Sequence, residues 1–233
     1  MSVAGFENKS YISDPGPGDV LVIWNRSFHG AEDADRFARG GASVLVAENG
    51  LMGKGWLGGN WYSLALSHVA VAGGVWPHGG KGRWDSFGVD LSPWHPVGGE
   101  TVVLGQRGIG ERGIKSPEAW AERTAQLYGG RVRSHPGKRN EGPPLVEDLV
   151  KASAVITWAS SSALQALAMG VSVYHDHPNW VGAAAALSLR EYGGAPAQND
   201  EARLAVFHKV AWAMWRIDEI DNGSAFEHLF KEQ

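Results

Sequence analysis

The stretch "AVITWASSSALQALAMGVSVYHD", residues 154–176, changes character twice within a short span. Its ends, "AVITW" (154–158) and "VSVYH" (171–175), are apolar runs rich in β-branched and aromatic residues, the pattern of strands covered on both faces. Between them "SSALQALAMG" (161–170) sets Ala and Leu at helical spacing and closes on a glycine, a helix stop. Strand, helix and strand in so little chain predict a parallel sheet with helices on its faces.

The same alternation continues outward. On the N-terminal side, "DVLVIW" (19–24) reads as a strand led in by the turn-forming "DPGPG", and "EDADRFARGG" as a helix with acidic residues first and Gly40 and Gly41 as its stop. "ASVLVAENG" (42–50) and "HVAVAGG" (68–74) read as two further strands. Nearer the opening stretch, "ETVVLGQ" (100–106) and "RVRSH" (131–135) are strands flanking a helix over 116–130, with Ser116 as N-cap and Pro117 at its first position. "LVEDLVKAS" is a short helix, and "NDEARLAVFHKVAWAMWRIDEI" closes the chain as a long helical pattern. Only "WPHGGKGRWDSFGVDLSPWHPVGG" (76–99) lacks periodicity, which marks a lobe boundary or a functional loop. The expected fold is α/β: two Rossmann-like lobes with parallel sheets, residues 1–98 and 99–190, and a C-terminal helical segment, 191–233.

Composition narrows the function. A net charge of -4 over 233 residues gives no overall case for a polyanion-binding protein, so any nucleic-acid contact has to be local. With no cysteine there is neither a disulfide framework nor a thiolate metal site. No basic start with an apolar run and no stretch of about 18 apolar residues occurs, so a cytoplasmic protein without a membrane span is expected. Eleven tryptophans predict a well-filled core with some rings left to line a surface.

In an open parallel sheet the ligand lies beyond the carboxyl ends of the strands. Here those positions read "NRSFHG", "ENG", "QRGIGERG", "HPGKR", "SSS" and "HDHPNW", polar and glycine-rich where the strands themselves carry almost no charge. Ser160, Ser161 and Ser162 stand where strand becomes helix and suit a phosphate, although an ordinary N-cap explains one of them. His135, Lys138 and Arg139 offer an imidazole and two cations on a turn fixed by Pro136 and Gly137. "QRGIGERG" matches neither a Walker A nor a G-x-G-x-x-G spacing. Glu48 is a single carboxylate at the mouth of a buried strand, with Asn49 and Gly50 to turn the chain, and is the candidate general base. His175 and His177 can share one strand face, but no third ligand is evident, so no protein-bound metal is expected. No G-x-S-x-G elbow is present.

Taken together, "AENG", "RSHPG" and "DLVKASAVITWASSSALQALAMGVSVYHD" resemble the sugar-nucleotide-dependent glycosyltransferases of two-lobed GT-B architecture. The likeness is greatest to the capsule polysaccharide Kdo-transferase family, in which a Glu-Asp-Gly turn, a His-Pro pair and a Ser-rich helix start recur, and it spans residues 19–185. It implies Glu48 as the catalytic carboxylate and His135 as a donor-phosphate contact beside Lys138, with Ser160 to Ser162 as the phosphate cradle. Two residues depart from the pattern. Asn49 stands where the family shows an acid, and Gln165 where many GT-B enzymes hold the nucleotide ribose with a glutamate; an amide can still bond a ribose hydroxyl.

The resemblance implies a metal-independent transfer that uses a nucleotide sugar as substrate and no other cofactor. The acceptor, a glycan or another hydroxyl compound, would enter near Glu48, Asn25 and Asn49, with Trp84 as a stacking ring. Compact forms of this kind are similar to bacteriophage proteins, so hydroxymethylated DNA is a further acceptor, met by the cations of "GGKGRW" and "HPGKR". A binding module of the same fold without chemistry is the remaining alternative. The sequence is silent on oligomeric state.

Overall fold

The structure, a computed structural model, describes residues 12–27, 29–137 and 142–231. In chain order the elements are β1 (Val20–Trp24), α1 (His29–Arg39), β2 (Ser43–Asn49), β3 (Trp61–Leu66), α2 (Gly82–Ser86), β4 (Glu100–Leu104), α3 (Trp120–Tyr128), β5 (Arg131–Arg133) and α4 (Leu145–Leu149). There follow β6 (Ala152–Thr157), α5 (Ser162–Ala168), β7 (Ser172–His175), β8 (Leu187–Ser188), α6 (Asp200–Ala211), β9 (Met214–Arg216), α7 (Ile217–Asp221) and α8 (Ser224–Leu229). The chain forms two compact units: residues up to 80 together with those from 209 onward, and residues 81–208. The architecture is the expected α/β one, with Rossmann-type strand and helix units.

The first unit is built on a four-stranded sheet in the order β1-β2-β3-β9. β1 and β2 pair in parallel, with Val20 opposite Ser43 and Trp24 opposite Ala47, and α1 makes the crossover. β3 and β9 are antiparallel additions, so this sheet is mixed where an all-parallel one was expected. The physical cause is the short connection between β2 and β3, which has no room for the crossover of a dozen or more residues that a parallel neighbour needs. "HVAVAGG" forms no strand. Ser67 at φ 69 and Gly73 at φ 82 fold the chain back, with an isolated bridge from Leu66 to Val75, and Val69, Ala70 and Ala72 are buried. The long closing helix is likewise broken after Ala211. Met214–Arg216 pairs with Trp61–Ser63, and Trp215 joins Leu45, Leu64, Ala225 and Leu229 in the core.

The second unit carries a five-stranded, wholly parallel sheet in the order β5-β4-β6-β7-β8. Val102, Val103, Val155, Ile156, Leu164 and Leu167 are fully buried in it, each contributing about 1.5–3 kcal/mol. Residues 154–176 run through β6, α5 and β7, the expected strand, helix and strand. α3 starts at Trp120 rather than near Ser116, because Ala119 sits in the left-handed region at φ 49 and stops the helix from reaching back.

The loop over 76–99 is divided at 80/81, and its second part belongs to the second unit. Trp84, on α2, stacks on Phe207 at 4.7 Å. Further on, Ser92 N–H donates to Ala168 O at 2.9 Å and His95 N–H to Gly170 O at 2.7 Å. Arg203, 4 % exposed, donates to Ser92 O and Leu167 O and pairs with Asp200. Among the described residues no helix is long and apolar enough to cross a membrane.

Candidate functional site

The chain leaves β4 for β5 on one side and later returns to β6 on the other, so the loops after β4 and β6 diverge. That divergence is the switch point at which open α/β sheets bind ligands. The segment after β4, residues 105–119, is held in place from three directions. Gln106 Oε1 accepts Ala159 N–H at 3.1 Å, tying it to the loop after β6. Trp158 Nε1 donates to Ile114 O at 2.8 Å. His177, 4 % exposed, accepts Asn179 N–H on Nδ1 at 3.1 Å, so its proton is on Nε2, which donates to Gly113 O at 3.0 Å. Burial lowers the His177 pKa and keeps the ring neutral in that role. Two adjoining cavities of about 620 and 420 Å³ lie along this segment and share Gln106, Arg107, Ser116, Pro117 and Ala119.

His135 lines the smaller cavity. Its Nδ1 accepts Gly137 N–H at 2.9 Å, which leaves Nε2–H as a donor, and burial together with the Arg107 charge lowers its pKa. Ser160 to Ser162 form the turn into α5, but most of the backbone N–H groups are used inside the segment. Ser160 N–H donates to Thr157 Oγ1 at 2.9 Å, Ser162 N–H to Ser160 Oγ at 3.2 Å, and Ala159 N–H to Gln106. What remains to meet a ligand, among the described residues, is the Ser161 N–H with the Ser161 and Ser162 hydroxyls, and Gln165 lies one helical turn on and on the same face. Lys138 and Arg139 lie outside the described residues. His175 and His177 do not share a ligand position, since each ring is engaged with backbone groups. Among the described residues no cluster of three or more His, Asp or Glu is placed to hold a metal ion.

Glu48 is near the end of β2 in the first unit, opposite Ser63 of β3 and on the face of Val44 and Val46. It is half-buried, and burial alone pushes its carboxyl up to about 7. Among the described residues its carboxyl has no hydrogen-bond or ion-pair partner. A carboxylate desolvated without compensation is expensive to keep and is typical of a site that uses its proton affinity. Asn25 follows β1, and its N–H donates to Ala47 O at 2.9 Å, which sets its backbone beside that of Glu48. It takes a left-handed turn at φ 53, and its Oδ1 is buried without a partner among the described residues. Asn49 is exposed, and its carbonyl accepts the Ser63 hydroxyl at 3.1 Å.

Trp84 is not a surface ring. It belongs to the second unit and is 2 % exposed, with its ring face on Phe207, so it has no face open to a sugar. In the sequence Gln106 and Arg107 read only as part of "QRGIGERG", and Trp158 only as the end of a strand. Their signal was position alone: each follows a buried strand on one side of the switch point.

No family model matches the sequence, and no curated protein matches it. Among solved structures the chain is similar to KpsC, the beta Kdo 2,4 transferase of Thermosulfurimonas dismutans, with 13% identity and a TM-score of 0.51 over 89% of this chain and 84% of that one. At this identity the likeness is one of fold, that of Rossmann-type α/β units.

Proposed function

We propose that the protein is a glycosyltransferase that moves a sugar from a nucleotide-sugar donor to an acceptor hydroxyl. The observation that carries this reading is Glu48, a half-buried carboxylate without a partner among the described residues, which burial pushes up to about 7, a match for a general base working near neutral pH. The neighbour in fold, named as a Kdo transferase, supports sugar transfer as the class of reaction.

Glu48 takes the proton of the acceptor hydroxyl, and the acceptor oxygen forms a bond to the anomeric carbon. The bond from that carbon to the phosphate oxygen breaks, and the nucleotide leaves with the electron pair. His135 Nε2–H and the Ser161 and Ser162 hydroxyls donate to the departing phosphate, with Gln165 toward the ribose. In this scheme charge on the leaving group is met by protein donors, and transfer persists in EDTA.

The test is nucleotide release from CMP-, UDP- and GDP-sugars with and without glycan acceptors, for wild type and Glu48→Gln. Turnover should fall at least 100-fold in the variant while nucleotide affinity stays within twofold. Parallel loss of both would remove Glu48 from the chemistry. A binding module without chemistry shares the donor contacts, and gives binding without turnover in wild type. A hydroxymethylated-DNA acceptor predicts salt-sensitive retention on DNA as well.

A further inference from the structure

We propose that Arg107 is the phosphate-binding cation of the donor site, with Lys115 as a second positive charge along the same groove. The proposal rests on the nucleotide-sugar reading above. A phosphate that leaves water needs counter-charge as well as hydrogen bonds. His135 presents a neutral imidazole, the serines present neutral hydroxyls, and the N–H groups of Ala159, Ser160 and Ser162 are already engaged. Charge has to come from elsewhere.

Arg107 lines both cavities, so it stands where they meet; Lys115 lines the larger one. Glu118 lines the larger cavity and Glu122 the smaller, yet neither cation has a hydrogen bond or ion pair among the described residues. The Arg107 charge is nonetheless felt at His135, which brings the guanidinium within electrostatic reach of the imidazole that faces the leaving group. The backbone around Arg107 is fixed, by the Gln106 side chain before it and by Gly113 and Ile114 after it, while the guanidinium itself is free to close on a ligand. Its planar fork matches two phosphate oxygens at once, which an ammonium cannot do.

The experiment is calorimetric titration of the full chain with CMP, UDP and GDP and with the matching nucleosides, at two salt concentrations, for wild type, Arg107→Ala, Arg107→Lys and His135→Ala. Arg107→Ala should weaken the nucleotide that binds wild type at least tenfold, flatten its salt dependence, and leave the nucleoside within twofold and the melting temperature unchanged. Arg107→Lys should recover part of the loss. Nucleotide affinity within twofold of wild type in Arg107→Ala overturns the proposal, as does a nucleoside affinity that falls in step with the nucleotide. If His135→Ala loses the nucleotide while Arg107→Ala keeps it, the assignment of Arg107 fails and the donor-site reading stands. If wild type binds none of the nucleotides, both fail.

Discussion

Ionising Glu48 is harder in the folded chain than in the unfolded one, and this makes its role visible in stability as well as in turnover. Burial pushes its pKa up to about 7 from the ordinary value of 4.5, so the folded state holds the proton more tightly. The penalty is therefore absent below pH 4.5, grows as pH rises, and is complete above pH 7. Glu48→Gln, which mimics the protonated side chain, should match wild type in urea unfolding at pH 4.5 and exceed it by about 3 kcal/mol at pH 8. Equal stabilities at pH 8 would contradict the uncompensated burial. Transfer by wild type should rise with pH through about 7, since only the carboxylate accepts a proton. The half-buried placement of Glu48 was legible, because it sits at the mouth of an apolar strand. Trp84 was not, because a tryptophan in a glycine-rich segment suits a stacking platform and a core equally well. Arg107 was hidden for a third reason: a cation in a loop means little until the sheet order shows which loops flank the switch point.

At the level of elements, what the second unit's sheet rests on is the tight turn out of α5. Gly170 takes φ 80, and a Cβ there would collide with the carbonyl of Pro93 while Ser92 and His95 bond to Ala168 O and Gly170 O. Gly170→Ala thus combines left-handed strain with a backbone clash and should cost on the order of 2–4 kcal/mol in urea unfolding. A change under 0.5 kcal/mol would show that the segment 92–95 is not docked there. Elements of this unit were readable from sequence, because each strand of a parallel sheet is separated from the next by a periodic helix. The first unit was harder. In "HVAVAGG" and in "AWAMW" most apolar residues are buried, with Val71 and Trp212 partly so, and no two-residue or helical alternation separates them, so periodicity could not choose, and pairing with distant strands settled it.

Over the whole molecule, the division at 80/81 and 208/209 means that the first unit is made from two separated pieces of chain, and the second from one. A fragment of residues 81–211 should melt cooperatively and keep the nucleotide affinity of the full chain, whereas residues 12–80 alone should lack a cooperative transition until 209–231 is supplied. A fragment 81–211 without a cooperative melt would overturn that independence. The sequence pointed to two lobes because the strand and helix series runs twice. It placed the boundary at 98/99 because composition reports where periodicity stops, not which side a loop packs against. The split also sets an order of events during synthesis. When the ribosome has made residue 80, β3 has an open edge, and its partner β9 is still to come. At about 5–20 residues per second, the intervening segment takes roughly 6–26 s to appear. For that interval the growing chain carries a half-built sheet with an unpaired edge, an opening for chaperones or for aggregation, which closes only when Met214–Arg216 arrives.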